Sequence, residues 1–119
     1  MKYSEHEKNI IFKMEITIVN EFKYRHATRD DICFLAYFSD PDMEIDIESL
    51  HEACEIGIDY NLINNIQKSQ FKELVGEALV ELYSEDIIRF PSSESVTLTT
   101  KGENMFIVDN MLYSVVGKK

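Results

Sequence analysis

At 119 residues the chain is long enough to bury one real core and too short for two domains of ordinary size, so it is read as a single domain over 1–119. Four glycines, two prolines and 45% hydrophobic residues exclude a disordered chain, and no apolar run reaches the ~18–20 residues that a membrane span needs. The net charge of −10 excludes a protein that coats nucleic acid by bulk positive charge, but its distribution leaves room for a local contact.

That charge is uneven. Residues 1–29 carry six bases and four acids, and residues 30–59 carry ten acids and no Lys or Arg. Residues 60–72 carry two lysines and no acid, and residues 73–119 carry eight acids and four bases. A phosphate backbone is repelled by the middle block and tolerated by the stretch "YNLINNIQKSQFK". The opening "MKYSEHEKN" lacks the charged-then-apolar pattern of a secretory signal, and Cys33 and Cys54 then read as reduced thiols, which predicts a cytoplasmic protein.

In chain order, Ser4 and Glu7 stand at capping-box spacing before an apolar run. Ile11, Met14, Ile18 and Phe22 mark one helical face, while Phe12, Ile16 and Val19 make a second face apolar too. Phe12, Met14, Ile16 and Ile18 also alternate with polar residues as a strand would; the cap and the length favour a helix over about 4–25. "KYRHATR" reads as a polar connector, and "DDICFLAYFSD" as a second helix with Ile32, Leu35 and Ala36 on one face. Pro41 stops that helix and makes "DPDMEID" a loop. Asp46 caps a third helix over "IESLHEACEIG", with Leu50, Ala53 and Cys54 inward and Gly57 at its end.

Asp59 precedes a short helical segment, "YNLINNI", whose Leu62, Ile63 and Ile66 point about 150–190° away from the stripe that starts at Phe71, taking ~100° per residue. A straight helix cannot bury both sets in one core, which predicts a break at 67–69 with Ser69 as the cap of the next helix. In that helix Phe71, Leu74, Val75, Ala78, Leu79 and Leu82 form one clean stripe. "DIIRF" and "VTLTT" then leave helical spacing and flank the turn-forming residues Pro91 to Ser95, a hairpin over 86–100. A last helix is expected over 102–116, because "MFIVDNMLYSVV" is apolar at nearly every position.

Helices followed by a hairpin after the longest helix give a mainly α fold with a small β-hairpin wing, with a helical core over 29–83. The stretch "LVGEALVELYSEDIIRFPSSESVTLTTKGENMF" resembles the winged helix-turn-helix domains of MarR- and PadR-type bacterial regulators over about residues 69–108. The resemblance implies a DNA-binding transcriptional regulator that lays its long helix on double-stranded DNA. Where such regulators usually carry a glycine before the first wing strand, this chain has Ser84-Glu85-Asp86, and its wing tip, Ser92-Ser93-Glu94-Ser95, carries no base.

The candidate DNA contacts are Asn64, Asn65, Lys68, Ser69, Gln70, Lys72 and Arg89: amides, a hydroxyl and cations that donate to phosphates or read base edges at a helix N-terminus. The competing reading is a protein-binding module, an adaptor or inhibitor. It presents Asp40, Asp42, Glu44, Asp46 and Glu48 to a basic protein and does not touch DNA. These acids alternate as calcium ligands do, but Ile45 and His51 stand where an EF-hand needs Gly and Glu, and the alternation puts Met43, Ile45 and Ile47 on a packing face. His51, Cys54 and Glu55 share a helix face without the further ligands that zinc wants. No nucleophile–base pair or glycine-rich phosphate loop occurs, so neither enzyme activity, a metal nor a cofactor is expected. The apolar excess of the N- and C-terminal helices predicts a homodimer formed through them.

Overall fold

The structure, a computed structural model, describes residues 2–27, 35–39, 43–108 and 111–114. It is mainly helical with a small three-stranded antiparallel sheet and two further β-hairpins.

Helix α1 (Glu5–Glu21) starts at the expected capping box: the Ser4 hydroxyl accepts from Glu7 N at 3.1 Å, and Glu7 Oε1 accepts from Ser4 N at 2.9 Å. It is a helix and not the strand that its alternation also allowed, and it ends at Glu21 rather than near residue 25. Ile10, Ile11, Met14, Ile16, Ile18 and Val19 are all buried, so most of both apolar faces is covered; Phe12, on the second face, stays 37% exposed. A fully buried side chain of this kind contributes roughly 1.5–3 kcal/mol, which makes α1 a major contributor to the core.

Two expectations fail between α1 and residue 45. "KYRHA" is strand β1 (Lys23–Ala27) rather than a connector, and "LAYFS" is strand β2 (Leu35–Ser39) rather than part of a helix. They pair antiparallel with Tyr24 opposite Phe38 and Arg25 opposite Tyr37. Strands are held by partners across a ladder, and that cross-strand gain is invisible to a helical face count within one segment. Ile32, Cys33 and the loop acids Asp40 and Asp42 lie outside the described residues.

Strand β3 (Ile45–Asp46) occupies the end of the expected loop and leads directly into helix α2 (Ile47–Gly57). Asp46 caps α2 as expected, accepting from Ser49 N at 3.1 Å and from Ser49 Oγ at 2.8 Å. These bonds hold its carboxyl below the usual range. A single turn, α3 (Tyr60–Ile63), follows its Asp59 cap. Helix α4 (Lys68–Ser84) then begins where the phase jump requires a break, although its cap position is Gln67 and makes no side-chain bond. Ser69 instead sits inside the first turn. The stripe Phe71, Leu74, Val75, Ala78, Leu79 and Leu82 is buried in full and packs on α1.

The hairpin expected over 86–100 as a wing is strands β4 (Ile88–Ser92) and β5 (Ser95–Leu98), antiparallel, with Ser92 opposite Ser95 at the tip. β3 joins the far side of β5, giving the order β3-β5-β4 and placing Pro91 on an edge strand, where a missing N–H is tolerated. Met43, Ile45 and Ile47 pack against the core as their alternation predicted, and Thr97 Oγ1 donates to Met43 O at 2.6 Å.

The expected helix over 102–116 does not form. A single turn, α5 (Thr100–Glu103), gives way to a hairpin of β6 (Met105–Val108) and β7 (Met111–Ser114). Val108 pairs with Met111. An apolar run with no polar face suits a strand as well as a helix.

The glycine missing from the turn after α4 is replaced by Asp86, which takes the left-handed conformation at φ 63°. Asp86 N donates to Tyr83 O and Ile87 N to Leu82 O, at 3.0 and 2.9 Å. This is a Schellman closure, with Leu82 and Ile87 both buried beneath it. Aspartate adopts this conformation more readily than a β-branched residue does. Asp86→Gly should therefore hold or raise the urea midpoint, and Asp86→Val should lower stability by about 1–2 kcal/mol. Equal midpoints for the two variants would contradict the assignment of Asp86 to this role. Gly102 is needed for another reason: a Cβ there would run into the Ile87 carbonyl.

Candidate interaction surface on the long helix and wing

The sequence-predicted contacts do not converge on one face. Asn64 caps the end of α3, and Asn65, Lys68, Ser69 and Lys72 follow it, all exposed. Gln70 is already engaged: its Nε2 donates to Glu7 Oε2 at 2.7 Å, tying α4 to the start of α1. That bond helps keep the Glu7 carboxyl below its ordinary range, behind the larger effect of the Ser4 backbone N–H. Arg89 is exposed on β4, at the edge of the wing sheet.

Lys68 and Lys72 turn toward α2. They line a cleft of about 470 Å³ together with Ile47, His51 and the carboxylates of Glu48, Glu52 and Glu55. Three acids thus face two lysines across the α2–α4 groove, so the strongest cations of the predicted contact set already sit in a negative field. The remaining block acids divide in role. Glu44 accepts from Ser95 Oγ at 3.1 Å and ties β3 to the wing tip, and Asp46 is spent as the α2 cap.

The outward face of α4 follows from the buried stripe. At ~100° per residue, the positions opposite that stripe are Ser69, Glu73, Gly76, Val80 and Ser84, with Glu77 and Tyr83 on its two borders. Glu73 is held by Tyr3 Oη at 3.3 Å and Lys2 Nζ at 3.8 Å, an exposed pairing of small energetic value. Beyond it the face turns apolar. Val80 is 58% exposed, Tyr83 56% and Phe90, reaching over from β4, 38%. The Tyr83 and Phe90 rings lie 5.5 Å apart at 44°, a tilted aromatic contact. Val80 and Tyr83 sit off the buried stripe and Phe90 follows Arg89 on the wing. Large apolar residues off the stripe of an amphipathic helix were the readable signal for this patch.

A second feature lies on the flank of α4 that faces α1. Glu15 projects from α1 between Met14 and Ile16 and is only 7% exposed. It shares a hydrogen bond with Glu81, and burial, Glu81, Glu85 and Glu77 together push its carboxyl up to about 9. Its other oxygen, Oε2, is buried with no partner among the described residues. A buried acceptor left unpaired costs about 1–3 kcal/mol, so this is a point of stored instability. Burial also pushes the Cys54 thiol up to about 12, which makes it a core thiol and a poor nucleophile. Lys23, nearly buried with its ammonium donating to Glu103 O at 2.8 Å, is lowered to about 8 by desolvation.

Among the described residues no three His, Cys, Asp or Glu side chains come together to hold a metal ion, and no helix is long and apolar enough to cross a membrane. Comparison of the chain with family models, with curated proteins and with solved structures finds no match.

The raised Glu15 carboxyl predicts the sign of a pH dependence. The folded state keeps this proton up to about pH 9, whereas the unfolded chain releases it near the ordinary glutamate value. Between those limits the folded state binds more protons, so the Glu15 contribution to stability falls as pH rises from about 5 to 8. Glu7 and Asp46, with lowered carboxyls, lose their contributions only below that window, and Lys23 acts above it. Urea unfolding across pH 5–8 should therefore show a declining midpoint that Glu15→Gln flattens. A decline of equal slope in the variant would contradict the assignment.

Proposed function

We propose that the chain is a non-enzymatic winged-helix module that binds a basic protein partner through the outward face of α4 and the adjoining wing. Three features support the winged-helix part. After α1 and the β1-β2 pair the elements run short strand, three helices and hairpin; the strand order is β3-β5-β4; and α4 packs its stripe on α1 while its opposite face stays open.

The observation that carries the protein-binding part is the composition of that open face. Ser69, Glu73, Gly76, Val80 and Tyr83, extended by Phe90, offer an apolar and aromatic centre with an acidic rim. Glu73 and Glu77 border it on α4, and Glu48, Glu52 and Glu55 extend the negative charge across α2. Aromatic centres with a charged rim suit protein recognition, and phosphate oxygens would meet mainly carboxylates there. A symmetric pairing of two copies through this face would set the same acids against themselves, so the complementary partner is a different, basic protein. The reading does not require homodimerisation through the terminal helices: Ile10, Ile11, Met14, Ile16, Ile18 and Val19 of α1 are buried within one chain, and residues 105–108 and 111–114 pair as strands.

A DNA-binding reading of the MarR/PadR kind keeps one observation in its favour: Lys68, Ser69, Lys72 and Arg89 are all exposed. With about three cations per chain to neutralise phosphates, log affinity would fall with log salt at a slope of only about −3.

One pair of experiments separates the two. A photo-cross-linking amino acid at position 84, at the end of the same face, should give a discrete adduct in the native host with a protein of basic isoelectric point. Val80→Asp and Tyr83→Asp should abolish the adduct, and Lys68→Glu with Lys72→Glu should leave it. Selection from random duplexes at low salt should enrich no sequence. Enrichment of one sequence that the double lysine variant no longer binds would overturn the protein-binding reading in favour of DNA.

A further inference from the structure

The outer side of α4 breaks three local rules of helix building. Gly76 stands in the middle of the open face, although glycine is the poorest helix former after proline. Nothing among the described residues lies within 4 Å of where a Cβ would sit, so the fold itself does not ask for a glycine there. Along the border of the face Glu73, Glu77 and Glu81 follow one another at four-residue spacing, a like-charge row that weakens a helix. The last turn carries no base, although the macrodipole favours bases there. Lys2 meets Glu73 only in an exposed pair at 3.8 Å, which another cation displaces at small cost. Beside this row Val80 and Tyr83 leave more than half of their apolar surface in water.

Resting on the protein-binding reading above, we infer that the partner presents a basic amphipathic α-helix, which lies along α4 with its closest approach at Gly76. An apolar side chain of that helix fills the space over Gly76, between Glu73 and Val80. Its apolar neighbours on the following turns meet Val80, Tyr83 and the tilted Phe90 ring. Its Lys and Arg side chains, recurring every three or four residues along one border, meet the row Glu73, Glu77 and Glu81. Each broken rule then has a use: the missing Cβ admits the incoming helix, the acids gain cations, and the exposed apolar groups are covered.

The occupant is a helix because of what α4 offers it. Backbone groups in a helix interior are paired within the helix, so the outer face of α4 has no N–H or C=O for an extended peptide to join. A strand laid there would lose water from its own backbone without gaining partners, whereas a helix arrives with its backbone satisfied. Helices pack with axes about 8–10 Å apart, and a small residue at the contact brings them to the low end of that range. Charge excludes two other occupants. A second copy of α4 would set Glu73 and Glu77 against like acids, and a phosphate backbone would meet the same carboxylates. Lys68 and Lys72 do not offset them, since they face Glu48, Glu52 and Glu55 in the groove toward α2.

The full chain, carrying the photo-cross-linker p-benzoylphenylalanine at position 69 or at position 84 in its native host, tests this. Both positions are exposed serines on the open face. They stand about 22 Å apart along α4 at ~1.5 Å per residue. A helix lying along α4 covers that length in about 15 residues, and a strand in about seven. Mass spectrometry of the adducts should place the two sites in one segment of the partner, about 15 residues apart, with Lys or Arg at three- or four-residue spacing between them. Gly76→Leu should cut the adduct yield about tenfold or more, and Gly76→Ala should cut it less. Gly76→Ala should also raise the urea midpoint of the free chain, because its Cβ meets open space and alanine is the better helix former. Weaker capture by a more stable chain is a result that a purely structural role for Gly76 does not give. Sites about seven residues apart, sites in unconnected segments, or a yield indifferent to Gly76→Leu would each overturn the helix while leaving the protein-binding reading in place. No adduct from either position would overturn that reading, and the helix with it.

Discussion

Helix α1 has apolar residues on more than one face, and the rest of the fold is arranged to cover them. Ile10, Met14 and Ile18 are wholly buried, with Ile11, Ile16 and Val19 nearly so, and α4, α2 and β1 all pack against the helix. A helix that is apolar most of the way round must be enclosed. In a chain this small the enclosure uses the buried stripe of α4 and the inner residues Leu50 and Cys54 of α2. Once α4 has spent that stripe on α1, its opposite face is fixed as outward. Val80 and Tyr83 then lie on the surface, with Phe90 of the wing beside them.

Local signals were the legible part of the sequence. The Ser4–Glu7 box, the Asp46 and Asp59 caps, the phase jump before Phe71 and the turn around Ser93 all specify structure within a few residues, and each has its counterpart in the fold. The errors share a cause. Residues 23–27, 35–39, 105–108 and 111–114 form strands because of partners across a ladder, and those partners do not show in the periodicity of one segment. Most of the apolar surplus of α1 is buried by elements of the same chain.

The candidate site was only half legible. The polarity of Lys68, Ser69 and Lys72 was readable, but Gln70 is bonded to Glu7, and the two lysines look onto Glu48, Glu52 and Glu55 across a groove. Charge counted along the sequence treated the acid-free stretch as separate from the acidic block. Folding brings α2 back beside α4 and cancels that separation. Glu15 was hidden in the same way: one acid in an apolar run reads as surface until both sides of the run prove to be buried.

The central claim is that the apolar faces of α1 are satisfied inside a single chain, which leaves the outer face of α4 as the surface available to a partner. Native-state hydrogen exchange, followed over a hundredfold range of protein concentration, tests it most directly. The account predicts that the amides of Ile10 to Val19 are among the slowest to exchange, at a rate that does not depend on concentration. Protection of α1 that rises with concentration would show that a second chain covers the helix, and would contradict the account.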